Sequence, residues 1–284
     1  MNSGKARFAA LDEDNEHASP AAPGWRPRGA SALAGAVLCA AVANPAPAAQ
    51  SSDLWRVIHG LCATDRRLTR LPAPCIAVDL KRGTAVLRQP FDPMHLLLAP
   101  TRRITGIESE ALLAPDAPNY WQAAWEARRF LDRRAGYAIP REDIGLAVNS
   151  VSGRSQNQLH IHVTCVRADI RDALAADAAA ITRHWQDWDG APGRRYRVRR
   201  LRGEDLGPHD PFKLLARDPA AAGSMEMQTL VVVGARLPGG APGFYLLADR
   251  ADPDRSDPGH GEELLDHRCR VLKGARPPAA ETAP

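Results

Sequence analysis

Residues Asn149-Ser-Val-Ser-Gly-Arg-Ser-Gln-Asn-Gln-Leu-His-Ile-His-Val-Thr-Cys-Val166 read as the end of one strand, a Gly/Ser/Asn turn and a second strand. In an extended chain successive side chains alternate between faces. His160, His162 and Thr164 therefore share one face, and Leu159, Ile161, Val163 and Cys165 the other. Paired imidazoles are poor core material, whereas the opposite row suits burial against helices. The spacing predicts an antiparallel sheet with one apolar side and one reactive side. A His-x-His pair also occurs as surface decoration or within metal sites. Against a metal, Cys165 points away from the histidines and no further Cys/His run supplies a third ligand. The preceding turn favours anion chemistry. Gly153 can present backbone N–H groups, and Arg154, Ser155, Gln156 and Asn157 add donors. Imidazole beside such a cradle points to attack on phosphorus, with no metal and no cofactor expected.

The run Gln156-Asn-Gln-Leu-His-Ile-His162 resembles the signature of the histidine-triad (HIT-like) superfamily of nucleotide hydrolases and transferases. Asn149, eleven residues before His160, stands at that superfamily's spacing. Within it the chain is most similar to the bacterial CDP-diacylglycerol pyrophosphatase family. The likeness covers residues 52 to 272 and rests on Leu54-Trp55 with Cys62, Pro74-Cys75 and Val78-Asp79-Leu80. It extends through Leu97 to Thr101, Ile104 to Ser109, Trp121 to Trp125, and Asp266-His267-Arg268-Cys269. The resemblance implies an α+β, HIT-like antiparallel sheet and His162 as nucleophile. It also implies a nucleotidyl-histidine intermediate and CDP-diacylglycerol as the substrate, split to CMP and phosphatidic acid. His160 would orient His162 or touch the phosphates. Gly153, Arg154, Ser155, Gln156, Asn157 and Thr164 would hold phosphate oxygens, and Asn149 would support the nucleotide side. His95 lies where the superfamily places its nucleotide pocket, although by itself it reads as a structural histidine at a strand end. The chain departs from the wider superfamily at Thr164, which replaces the third histidine, as in the uridylyl and adenylyl transferases. Two other readings stay open: a nucleotidyltransferase or hydrolase of another nucleotide-linked phosphoanhydride, and a non-catalytic nucleotide- or lipid-binding module.

The chain has 284 residues, 44% hydrophobic and 25% charged, with a net charge of +4. That is ordinary for a globular protein of one large or two small domains, and no nucleic-acid partner is indicated. Arg26 and Arg28 precede an apolar run from Ala30 to Ala43 and the small-residue stretch Asn44-Pro-Ala-Pro-Ala-Ala49. This pattern predicts a secretory signal or N-terminal membrane anchor within residues 1–50, hence a periplasmic protein at the inner-membrane surface. Cys39 falls inside the apolar run, which leaves Cys62, Cys75, Cys165 and Cys269. In an oxidising compartment they can pair in three ways. The favoured pairing is Cys62–Cys75, closing a short Pro-rich loop, and Cys165–Cys269, fastening the C-terminus behind the histidine strand.

The remaining pattern predicts a helix over 52–62 and a meander of strands near 75–80, 84–89 and 95–100. A helix near 106–112 and one over 119–135 follow, the second N-capped by Asn119 with Trp121, Ala124, Trp125, Arg128 and Leu131 on one stripe. Residues 169–188 are Ala-rich and read as helical. Strands are expected over 195–201, 225–235 and 243–248. The division expected is a HIT-like lobe at 51–190, a C-terminal α+β lobe at 191–273, a degenerate repeat of the first or a packing partner for it, and a disordered tail at 274–284. Arg194 to Arg202 is the densest basic run, suited to a solvated edge strand or to anionic headgroups.

Overall fold

The computed structural model describes residues 51–274, so the expected signal or anchor segment, Cys39 and the expected tail beyond 274 lie outside the described residues. The protein is an α+β fold built on one large antiparallel sheet. Helix α1 (Asp53–Trp55) runs into a π-helical stretch, Arg56–Ala63, and then α2 (Thr64–Leu68). Leu54, Ile58 and Cys62, four residues apart, form its buried stripe against Ala85, Leu97 and Ala99 of the sheet. The expected meander is present as β1 (Ala77–Asp79), β2 (Thr84–Arg88) and β3 (Leu96–Pro100). The expected helix near 106–112 contracts to a single 3-10 turn, Glu110–Leu112.

Helices α3 (Tyr120–Ala127) and α4 (Arg129–Ala135) follow. The Gln122 N–H donates to Asn119 Oδ1 at 3.0 Å, the cap the sequence implies. Trp121, Trp125 and Leu131 are buried, so this stripe is core and not a lipid contact. Strands β4 (Ile144–Val148) and β5 (Ile161–Val166) lead to α5 (Ala168–Ala176). The helix expected to reach 188 stops there. Ile181 and Trp188 are buried instead, and the Trp188 indole N–H donates to Asp177 Oδ2 at 2.7 Å. Burial of a large aromatic thus overrides the helical propensity of alanine. Residues Gln186–Trp188 become β6, paired with β7 (Tyr196–Arg202). The chain closes with α6 (Pro211–Ala216), β8 (Gln228–Arg236), β9 (Pro242–Arg250) and β10 (Leu265–Asp266).

The strand order is β1-β2-β3-β5-β4-β8-β9-β7-β6, with β10 also pairing with β5. The sheet passes without a break through β4 and β8, from Gly145 opposite Val233 to Val148 opposite Leu230. The stretches 51–190 and 191–273 therefore meet edge to edge, and β6 and β7 pair across the expected boundary. One face packs Leu98, Leu146, Ile161, Val163, Val232 and Leu246 under the tryptophan helix and α6. The other face is not the open reactive side that alternation suggests. Its β8–β9–β7 part is buried beneath Ile170 and Leu174 of α5, and its β2–β3 part beneath the N-terminal helix. Both favoured disulfides are formed, Cys62–Cys75 and Cys165–Cys269. Among the described residues no helix is long and apolar enough to cross a membrane.

Candidate active site

Between those two apolar covers lies a cavity of ≈ 610 Å³. His162 enters it from β5, opposite Leu97 of β3 and Ala147 of β4. His160 enters just before the strand begins, and His95 just before β3. The loop after β9 contributes His260 and Glu262, and the segment after β10 contributes His267. Asn149, Gly153, Ser155 and Gln156 complete the lining, together with Asp53, Gln89 and Asp92. Among the described residues that line it there is no Lys or Arg.

The histidines form one contiguous array. His95 Nε2 lies 2.9 Å from His162 Nδ1, and the His95 ring stacks on His267 with centroids 4.0 Å apart. His160 and His162 meet edge to face at 4.9 Å. Burial pushes the His95 pKa down to about 3, aided by the neighbouring His267 and His160. Burial likewise lowers His160, and lowers His162 well below the ordinary histidine range, with the surrounding imidazoles reinforcing the effect. His95, His160 and His162 are therefore neutral at ordinary pH. The His160 Nδ1–H donates to the Gln158 carbonyl at 2.8 Å, because a carbonyl can only accept. His162 Nε2 is shielded from water and has no hydrogen-bond partner. An orphaned buried nitrogen is costly and calls for a functional reason.

The residues expected to form an anion cradle divide into two groups. Asn149, Gly153, Ser155, Gln156, His95, His160 and His162 do line the cavity. Arg154, Asn157 and Thr164 are engaged elsewhere. The Arg154 guanidinium donates to both Glu108 oxygens, at 2.6 and 2.9 Å, and to Asn157 Oδ1 at 3.2 Å. Burial opposes ionisation of Glu108, but the Arg154 hydrogen bonds outweigh it and hold its pKa below the usual value. Thr164 donates to the Met94 carbonyl at 2.7 Å. The turn amides of Gly153 and Arg154 both donate to Ser150. Gly153 is required by packing: a Cβ there would meet His260 Cδ2 at 2.5 Å and the Gly259 carbonyl at 2.6 Å. Gln156 Oε1 accepts the Leu54 N–H at 3.0 Å, docking the first turn of the N-terminal helix onto the site. The donors that suggest a phosphate loop in sequence thus mostly build the wall.

Sequence reading did not single out Glu262 or His260, and it quoted His267 only within the stretch Asp266 to Cys269. Glu262 Oε2 sits 3.2 Å from His162 Nδ1 and 3.7 Å from His267 Nε2. Its signal in sequence is slight, one acid in Gly261-Glu-Glu-Leu264. His267 was better marked, two residues before a cysteine that bridges to the histidine strand. Ligand atoms of His95, His162, Glu262 and His267 all lie within 4.8 Å of one another, so this set could hold a metal ion.

Residues 49–273 match the model of the CDP-diacylglycerol pyrophosphatase family. The chain belongs to that family. A CDP-diacylglycerol pyrophosphatase of Yersinia pestis is 40% identical over 221 residues, which is 77% of this chain and 84% of the relative. Among solved structures, a DUF4931 family protein from Bacillus cereus aligns at 12% identity with a TM-score of 0.40, covering 74% of this chain and 93% of its own. The family match spans nearly all the described residues and includes every side chain of the cavity.

Proposed function

We propose that this protein hydrolyses the pyrophosphate bond of CDP-diacylglycerol to CMP and phosphatidic acid through a covalent nucleotidyl-histidine at His162. Family membership and the name of the Yersinia pestis relative support the substrate. The observation that carries the mechanism is the state of His162, a neutral imidazole in the cavity whose buried Nε2 has no partner. In the first step Nε2 forms a bond to the cytidine-bearing phosphorus and the bond to the phosphatidate oxygen breaks. The leaving group is already an anion of a phosphate monoester and needs little protonation. Water then attacks the same phosphorus, the P–N bond breaks and CMP leaves, with the water proton passing to the ring or to solvent. Splitting one hard displacement into two easier ones is the benefit of the covalent route. His160, Ser155 and Gln156 would meet the phosphates. The HIT-like assignment belongs to this proposal and is supported by Gln156 to His162 leading into β5, an inner strand of an antiparallel sheet.

The same reading makes the protein an exported one that works at the inner-membrane surface, which the two disulfides support because such bonds persist in oxidising compartments. The decisive test is a rapid alkaline quench and digestion at alkaline pH, which preserves the acid-labile P–N bond, using substrate labelled at the cytidine-bearing phosphate. Label on the peptide carrying His162 is expected; hydrolysis with no labelled peptide at any time point refutes the covalent step. A second reading is favoured by the convergence of His95, His162, Glu262 and His267. Under it these residues hold a cation and water cleaves the anhydride with no protein adduct. Elemental analysis of the purified protein, run beside the adduct assay, separates the two.

A further inference from the structure

We infer that Glu262, clasped by Asn149, is a positioning residue that keeps a proton on His162 Nδ1 and so reserves Nε2 for attack. The inference rests on the proposed reaction and assigns it a part that the family signature does not contain. His162 Nδ1 has two neighbours, Glu262 Oε2 at 3.2 Å and His95 Nε2 at 2.9 Å. A carboxylate accepts and cannot donate. Were Nδ1 a lone pair, it would face carboxylate lone pairs at 3.2 Å. With the proton on Nδ1, the N–H donates to His95 Nε2 at 2.9 Å while its positive end lies beside the Glu262 carboxylate at 3.2 Å, and the conflict disappears. His95 Nε2 must then be unprotonated as well. The nitrogen left without a proton on His162 is Nε2, the atom that has no partner in the structure.

Glu262 is itself fixed at two points, one on the carboxylate and one on the backbone. Glu262 Oε1 accepts from Asn149 Nδ2 at 2.9 Å, and the Glu262 backbone N–H donates to Asn149 Oδ1 at 3.3 Å. Asn149 directly follows β4, which pairs with β5, so the clasp is referred to the same rigid sheet as His162. Gly261 allows the approach. A Cβ at that position would come within 2.5 Å of Thr229 Oγ1 and 2.9 Å of Val231 Cγ2. Any side chain would lift the segment off the sheet and carry Glu262 away from the ring. His160 reaches the same tautomer by another device, the backbone carbonyl of Gln158. The carboxylate adds something a carbonyl does not. When Nε2 is nucleotidylated the ring becomes cationic, and a fixed negative charge beside Nδ1 stabilises that adduct. Asn149 then serves the nucleophile through Glu262.

The test uses the full-length enzyme, with E262Q, E262D and N149A beside wild type, each checked by circular dichroism and thermal melting. For E262Q, kcat is expected to fall roughly 100-fold or more while KM moves far less, because the group acts on a transition state and not on substrate binding. E262D, which keeps the charge, should recover part of that loss, and N149A should fall between. In 15N-histidine-labelled wild type, His162 should show the Nδ1–H tautomer, and E262Q should shift it towards Nε2–H. E262Q that is nucleotidylated at the parental rate would overturn the inference while leaving the nucleophile standing. An Nε2–H tautomer in wild type would overturn it even if E262Q does not fold. Stoichiometric metal that is lost in E262Q would also overturn it, by making Glu262 a ligand. Absence of any adduct in wild type would instead remove the reaction on which the inference rests.

Discussion

On the sheet face that carries His160 and His162, the half formed by β8, β9 and β7 is packed solid, whereas the half formed by β3, β5 and β4 is left as a cleft. The two halves share a strand. Ala147 of β4 lies opposite His162 on one side and opposite Val231 on the other. Backbone geometry is the same across that line, and only what covers it changes. Val231, Val233, Tyr245 and Leu247 are met by Ile170 and Leu174 of α5. The histidines are met by one another. The difference teaches where stability was given up: apolar burial in the solid half lowers the free energy of folding, while imidazole burial in the cleft opposes it.

The largest contrast is expected from removing one ring or one core side chain on either side of Ala147. His162→Ala should lower CMP release by at least about 1,000-fold, as loss of a nucleophile does, with a melting temperature equal to or above the parent. A variant that still cleaves at the parental rate would move the chemistry out of the cleft. Next comes Cys165→Ala with Cys269→Ala, which opens a loop of 104 residues. Loop entropy sets that loss at about 4–5 kcal/mol in urea unfolding. Because His267 lies two residues from Cys269, activity should fall too, so this pair spans both halves of the comparison.

Leu247→Ala probes the solid half alone. A fully buried leucine truncated there should cost about 2–5 kcal/mol, read from the denaturation midpoint, while kcat per folded molecule stays near the parent. A large kcat loss with no stability change would show the two halves to be coupled. The smallest effect is the dependence on pH. His95 is near 3 in the folded protein against about 6.5 in an unfolded chain. Above that upper value both states are neutral and stability is complete. As pH falls below it the unfolded chain gains protons that the folded one refuses. Each such histidine then removes up to about 1.4 kcal/mol per pH unit until its folded value is reached. Melting temperature should therefore drop between pH 7 and pH 5, and His95→Leu should flatten the slope. An unchanged slope would place the protonation elsewhere.

The elements were legible to the extent that their signals are local. Asn119 capping, the tryptophan stripe and the meander of β1 to β3 are short-range patterns, and each is present. The helix expected through 188 is absent because Trp188 is buried at long range, which alanine content does not report. The cradle is legible only in part for a similar reason: Asn149, Gly153, Ser155 and Gln156 line the cavity, and the rest do not. Arg154 and Asn157 are donors in any sequence, but Glu108, some 46 positions away, already holds the guanidinium.

Sequence alone determined which residues of 159–166 share a face and which row is apolar, since a two-residue period is a property of the local backbone. Only the tertiary structure decided that His95, Glu262 and His267 join His162. Asn149 and Glu262 are 113 positions apart, and strand order together with the missing side chain of Gly261 brings them into contact. No local period carries that information, because it arises when separate segments are pressed against the same strand.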